Sequence, residues 1–188
     1  MISVIIPTLD SERALVPTLA ALVSGATAGL VTEVLIADGG SRDETAKVAD
    51  VAGCNFVVAE GSLGLRIGTA AAQARAPWLL FLRPGTVLDT PWTAEVGRFV
   101  QQPLPGRAAV FRRIAPVQSA LREIVALVTV ALGARPHAEQ GLLISRQYYD
   151  ALGGHAGDDA NPERDLIRRV GRRRLVTLAS GAFYQIFD

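Results

Sequence analysis

Two hydrophobic periods take turns along the first half of the chain. "SVIIP" (3–7) is a β-branched run stopped by proline and predicts a buried strand. "SERALVPTLAALVSG" then places Leu15, Leu19 and Leu22 at helical spacing, with Pro17 in the first turns, where proline is best tolerated. "EVLIAD" (33–38) predicts a second strand. In "GGSRDETAKVADVAG", Ser41 and Glu44 have the spacing of a capping box and Gly53 ends the predicted helix. "CNFVVAE" predicts a third strand, "SLGLRIGTAAAQARA" a loop entering an alanine-rich helix, and "WLLFL" a fourth strand.

Strands this apolar need cover on both faces, as in a parallel sheet with crossover helices, so the pattern predicts an α/β doubly wound half-domain. Ligands bind such sheets beyond the carboxyl ends of the strands. The loops "PTLDSE", "DGGSRD" and "RPGT" are therefore expected on one rim. The second half is less regular. "RAAVFRRI" predicts a strand, 115–132 a helix, "GLLIS" a short strand and "RQYYDALGG" one or two helical turns ended by glycines. "PERDLIRRVGRRR" predicts a basic helix opened by Pro162, and "LVTLA" a last strand. With no repeat, low-complexity segment or linker, one domain is expected over 1–188.

Composition changes this picture little. The 188 residues suffice for a sizeable core, and 49% hydrophobic with 20% charged is an ordinary globular balance. A formal net charge of +1 gives no field that would draw nucleic acid, so no nucleic-acid partner is expected. The lone Cys54 cannot form an internal disulfide and reads as a small core residue in a reducing compartment. Met1 runs straight into "ISVIIP" with no basic lead or cleavage site, so no secretory leader is expected. The apolar run 124–134 is too short to span a bilayer as a helix. A cytoplasmic location is expected, with peripheral binding at the inner membrane face as the alternative.

Several residues offer chemistry. Asp38 follows a buried strand and precedes Gly39 and Gly40, so its carboxylate can accept from a base or ribose hydroxyl while the glycines admit a ligand to the backbone. A plain tight turn with a helix cap accounts equally well for the same spacing. Pro7, Thr8, Leu9, Asp10 and Glu12 follow the first strand in the same manner, and N-capping by Thr8 or Asp10 is their structural alternative. Glu163 and Asp165 read as partners of Arg164, Arg168 or Arg169 on a solvated helix. Asp89 is expected to cap the helix that "TPWTAEV" begins, and is otherwise a weak metal candidate. "RRVGRRR" reads as a charged helix face, or as a contact for anionic headgroups. His137 and His155 match no zinc spacing and read as loop residues.

The segments "SVIIPTLDSE", "EVLIADGGSRDET" and "GLRIGTAAAQARAPWLLFL", in that order, resemble the family 2 glycosyltransferases, above all a small bacterial subgroup of short, soluble members. The resemblance implies the GT-A fold, a Rossmann-like α/β architecture with a mixed, mostly parallel sheet flanked by helices, its nucleotide-binding half at 1–90 and its acceptor half at 91–188. It implies a hexosyltransferase-type enzyme that moves a sugar from a UDP- or GDP-sugar donor with inversion. By resemblance, Pro7, Thr8, Leu9, Glu12, Asp38, Gly39, Gly40, Arg66 and Arg83 bind the donor. "RPHAEQGLLISR" and the "LGGH" loop put Glu139, Gln140 and His155 on the acceptor side, and the acceptor itself is open, a lipid-linked one included. "PERDL" puts Glu163 at the position of the family's catalytic base, with Asp165 as substitute.

One departure bears on the chemistry. The carboxylate with which the family holds magnesium or manganese falls on Gly85, in "FLRPGT". Either Arg83, with Arg66, partly supplies the positive charge instead, or Arg83 is a solvated turn residue, and metal dependence is open. A catalytically silent nucleotide-sugar binding module of the same fold is the alternative. A nucleotidyltransferase is disfavoured, because "PTLDSERA" contains no glycine-rich phosphate loop.

Overall fold

The structure, a computed structural model, describes residues 1–102, 105–114, 138–155, 161–185 and 187. The predicted helix 115–132, the apolar run 124–134 and His137 lie outside the described residues. The first half alternates as its pattern dictates: β1 (Ile2–Thr8), α1 (Glu12–Thr27), β2 (Val31–Asp38), α2 (Thr45–Val51), β3 (Asn55–Val58), α3 (Leu63–Gln73) and β4 (Trp78–Phe81). Then come β5 (Thr86–Leu88), α4 (Trp92–Gln101), β6 (Ala108–Ile114), a 3-10 turn (Ala138–Gln140), β7 (Leu142–Ser145), α5 (Arg146–Ala151), α6 (Pro162–Val170) and β8 (Leu175–Tyr184).

The strands form one sheet in the order β3-β2-β1-β4-β7-β6-β8-β5. The pairs β1–β2, β1–β4, β2–β3 and β6–β8 are parallel, while β4–β7, β6–β7 and β5–β8 are antiparallel. The sheet is thus mixed and mostly parallel, as expected. Every residue of β1 is buried, and its alternation feeds two cores. Ile2, Val4 and Ile6 pack with Leu15, Leu22 and Trp92 on one face. Ile5 packs with Ile67, Ala70, Phe81, Tyr149 and Leu166 on the other. Full burial of one such aliphatic side chain stabilises by about 1.5–3 kcal/mol, so helices are needed on both faces of β1. Cys54 is half-buried against the first core, and burial pushes its thiol up to about 11, consistent with an inert packing residue.

Local details depart from expectation. β5 is absent from the sequence reading, and β8 runs to Tyr184, well past "LVTLA". The capping box does not form. α2 begins at Thr45, and the Ser41 hydroxyl donates to the Asp38 carboxylate at 2.5 Å. Asp89 does not cap α4. Its Oδ2 accepts from the Gly181 amide of β8 at 2.7 Å and so closes the β5–β8 pair. Thr8 and Asp10 do not cap α1 either, because both side chains reach across to the loop after β2. Among the described residues no helix is long and apolar enough to cross a membrane.

Candidate functional site at the strand tips

The register fixes a common rim. Thr8 pairs with Asp38 at the ends of β1 and β2, and Ile5 pairs with Phe81, so β4 leaves the sheet beside β1 and delivers Arg83 there. Phe81 also pairs with Leu142 in the antiparallel β7, so the turn that precedes β7, with Glu139 and Gln140, opens onto the same edge.

Asp38 is 2% exposed and its carboxylate is fully engaged by its own surroundings. Oδ1 accepts from the Thr8 and Ser41 hydroxyls at 2.8 and 2.5 Å, and Oδ2 from the Gly40 and Ser41 amides, both at 2.8 Å. Burial alone would raise its pKa, but these four bonds outweigh it and hold the carboxyl below its ordinary value. Asp38 therefore organises the rim, and a ligand reaches it only by replacing one of these donors. The β1–α1 and β2–α2 loops are tied together around it. Asp10 accepts from the Arg42 amide at 2.7 Å, Asp43 from the Glu12 amide at 2.9 Å, and Glu12 from the Glu44 amide at 2.9 Å. The bare face of Gly39 is taken by Arg66, whose Nη1 would lie 2.1 Å from a Cβ there and donates to the Thr8 carbonyl at 2.8 Å. The Arg66 Nε is buried without a partner. Pro7 lies within β1, Leu9 is 54% exposed immediately beyond it, and Gly40 is exposed with a φ of +92°.

Arg83 and Glu163 meet. α6 is capped by the Asn161 side chain and begins at Pro162, which sets Glu163 in its first turn. Leu166, Ile167 and Val170 anchor the helix in the core. The Glu163 side chain is 8% exposed and that of Arg83 33%. Arg83 donates through Nε, at 2.8 Å, and through Nη2 to the same oxygen, Oε2, which leaves Oε1 without a partner among the described residues. Burial works against the charge on Arg83, but the hydrogen bond and charge of Glu163 outweigh it and hold the guanidinium ionised. Tyr184 and Glu139 add smaller contributions, so Glu139 acts electrostatically on the same arginine. Glu139 itself faces Arg113 at 3.5 Å, and Gln140 Nε2 donates to the Phe111 carbonyl at 2.8 Å.

Asp165 and His155 have structural surroundings. Asp165 accepts from Arg168 at 2.6 Å and Arg169 at 2.7 Å. Arg169 in turn donates to the carbonyls of Leu152 and Gly154, so this carboxylate fastens the glycine loop after α5 to α6. The bonds from Arg168 and Arg169 hold the Asp165 carboxyl below its ordinary value. His155 is a loop residue, as expected, but its side chain is buried in the core at 9% exposure. Its Nδ1 lies 2.9 Å from the Tyr149 hydroxyl and its ring meets Phe81 edge-on at 4.8 Å. With Gly68, Arg146, Tyr149 and Gly154 it lines a cavity of about 300 Å³ that Thr8, Asp38 and Arg83 do not line. Burial, and then the charge of Arg169, push the His155 imidazole down to about 3. Because the folded pKa is depressed, the unfolded chain binds the extra proton between about pH 6.5 and 3, and stability falls with pH through that window. Wild type is expected to lose about 2 kcal/mol more than His155→Gln between pH 7 and pH 5, read from urea midpoints; equal losses would contradict the neutral buried imidazole.

The turn after β4 explains the departure at Gly85. Arg83–Pro84–Gly85–Thr86 is closed by the Thr86 amide on the Arg83 carbonyl at 3.0 Å, with Gly85 at φ +89°. Proline second and a positive-φ glycine third is the chemistry of a type II turn. The Gly85 amide is held by the Thr18 hydroxyl at 2.9 Å and the Ala14 carbonyl at 2.8 Å. A Cβ on Gly85 would lie 2.6 Å from the Gln185 carbonyl oxygen. A carboxylate does not fit there, and no group of three His, Cys, Asp or Glu side chains arranged for a metal occurs among the described residues. Asp89, with Oδ1 buried, has no partner for that oxygen among the described residues and lies beside Gly181. The described residues do not fit a divalent metal site of the expected kind.

Comparison with known proteins defines the class of fold. The sheet and its helices match glycosyltransferase structures of GT-A type, and the model of the family "Glycosyl transferase family 2" matches residues 3–82, less than half of the chain. Glucosyl-3-phosphoglycerate synthase from Mycobacterium tuberculosis, crystallised with Mn2+, UDP and glucosyl-3-phosphoglycerate, superposes with a TM-score of 0.71 at 18% identity, over 100% of this chain and 73% of that one. The same synthase with Mn2+ and UDP-glucose gives 0.73 at 16% identity, over 100% and 72%. S. aureus TarS residues 1–349 give 0.72 at 14% identity, over 98% and 60%. No curated protein matches in sequence.

The sequence reading named both members of the Arg83–Glu163 pair but not the bond. It missed Tyr149, which holds His155, and Arg113, which faces Glu139; it paired Asp165 with Arg168 and Arg169, as found, but not Arg169 with the loop before His155. The "DGGS" run did carry a signal for the engaged Asp38, since an aspartate two and three residues before free amides favours an Asx turn.

Proposed function

We propose that this chain is an inverting glycosyltransferase that moves a sugar from a UDP- or GDP-sugar to a hydroxyl acceptor, a lipid-linked one included, without a divalent metal. The observation that carries the reading is Glu163, a buried carboxylate with one oxygen unpartnered among the described residues, set against Arg83 at the tip of β4. The family match over 3–82 and the fold neighbours that bind UDP and UDP-glucose support it.

In this reading Pro7, Thr8, Leu9, Glu12, Asp38, Gly39 and Gly40 shape the base and ribose site, with the exposed Leu9 as an apolar surface for the base. Glu139 and Gln140 border the acceptor side, and His155 acts as its buried wall. The acceptor oxygen forms a bond to the anomeric carbon as the bond from that carbon to the phosphate oxygen breaks. The hydroxyl proton passes to Glu163, and the nucleoside diphosphate leaves. Arg83 and Arg66 offset its growing negative charge. Asp165, held by two arginines, is the weaker base of the two.

A second reading, a silent nucleotide-sugar binding module, is favoured by one observation: the charge of Glu163 is already met by Arg83. Incubation with UDP- and GDP-sugars, following nucleoside diphosphate release with and without chelator, separates the two. Release that persists in excess chelator is expected. Binding without release under any acceptor would favour the silent module, and strict dependence on manganese or magnesium would remove the metal-free mechanism.

A further inference from the structure

The Arg83–Glu163 pair joins two groups to which the transferase reading gives opposed tasks. A guanidinium already matched by a carboxylate has little charge to offer a diphosphate. A carboxylate paired with a guanidinium through one oxygen has its charge matched and draws less strongly on a hydroxyl proton, although its other oxygen, Oε1, has no partner among the described residues. While they are paired, neither group is ready to act.

The two partners differ in freedom. Glu163 sits in the first turn of a helix anchored by Leu166 and Ile167, and its side chain is 8% exposed. Arg83 projects from a turn, and its side chain is 33% exposed. The arginine is the member that can swing toward solvent. A second carboxylate, Glu139, also acts on it from the turn before β7. Glu163 is therefore the main restraint on this cation, with Glu139, itself facing Arg113, a weaker one, at the place where a diphosphate would bring a larger negative charge.

We infer, on the strength of the transferase reading, that the pair is a latch opened by the donor: the diphosphate of the nucleotide sugar draws Arg83 off Glu163, and the freed, buried carboxylate then takes the acceptor proton. Guanidinium binds phosphate oxygens through the same forked donors it now gives to Oε2. Once the cation has left, the buried carboxylate's charge is unmatched and free to draw the hydroxyl proton. Acceptor activation thus waits for donor binding, and Glu163 weakens donor affinity for as long as it holds Arg83.

Calorimetric titration in excess chelator tests this, with UDP and GDP as probes and uridine and guanosine as controls. Glu163→Gln keeps a hydrogen-bond acceptor but removes the competing charge. It is expected to bind the cognate diphosphate about fivefold more tightly than wild type, with nucleoside affinity unchanged. In an Arg83→Ala background the same substitution is expected to give no gain. Wild type that binds a diphosphate while Glu163→Gln binds it no more tightly would overturn the latch and leave the transferase reading standing. Wild type that binds no nucleotide would overturn both. Should Glu163→Gln not fold, the Arg83 Nε–H resonance of wild type carries the test. It is expected to move on addition of the diphosphate and not of the nucleoside, and a resonance unmoved by bound diphosphate would overturn the latch.

Discussion

Gly85→Asp, which restores the carboxylate of a metal motif, is expected to destabilise the protein by roughly 2–5 kcal/mol and to confer no metal dependence. The cost has two sources. At φ +89° any residue with a Cβ is strained, and the Cβ itself would come within 2.6 Å of the Gln185 carbonyl oxygen. That oxygen belongs to a backbone fixed by the reciprocal bond of the Gln185 amide to the Gly85 carbonyl at 2.9 Å, so it cannot retreat cheaply. Gly85→Ala is expected to cost nearly as much, because the Cβ rather than the charge does the damage. Urea midpoints of the three proteins measure this. A Gly85→Asp protein of wild-type stability that binds manganese would show that the turn has been misread.

Glu163→Gln is expected to lower transfer by roughly 10²- to 10⁴-fold, the usual worth of a positioned base. Glutamine preserves shape and the hydrogen bond to Arg83 but cannot take a proton. The loss should fall on turnover, and donor binding should persist. Asp165→Asn is the contrast. Its carboxylate joins Arg168 and Arg169, and through Arg169 it holds the loop before His155, so its removal is expected to lower stability more than turnover per folded molecule. Steady-state rates with thermal midpoints for both variants separate the roles. Unchanged turnover in Glu163→Gln would remove it as the base.

The fold was legible where structure follows from local pattern. β1 to β4 and the helices between them were readable because each strand is an apolar run bounded by glycine, proline or polar turns. β5 was not readable. It has three residues, and its partner β8 lies about a hundred positions further on, as in the Leu88–Ala182 pair. The site was legible as a set of residues but not as a set of bonds. Arg83 and Glu163 stand 80 positions apart, and nothing in either segment indicates that each holds the other. Gly39 was read as space for a ligand, and Arg66 from α3 takes that space. His155 was read as a loop residue and is one, but its burial was not legible, because Tyr149, six positions earlier, receives its amide and ring in the core.

The most direct test of the strand-tip site is an amide NMR titration of wild type with UDP and GDP in excess chelator. The largest shifts are expected at Leu9, Gly39, Gly40, Arg66 and Arg83, with Glu163 following as its partner moves. Shifts confined to the cavity beside His155 or to the outer faces of α1 and α2, or none with either nucleotide, would contradict a donor site at the ends of β1, β2 and β4.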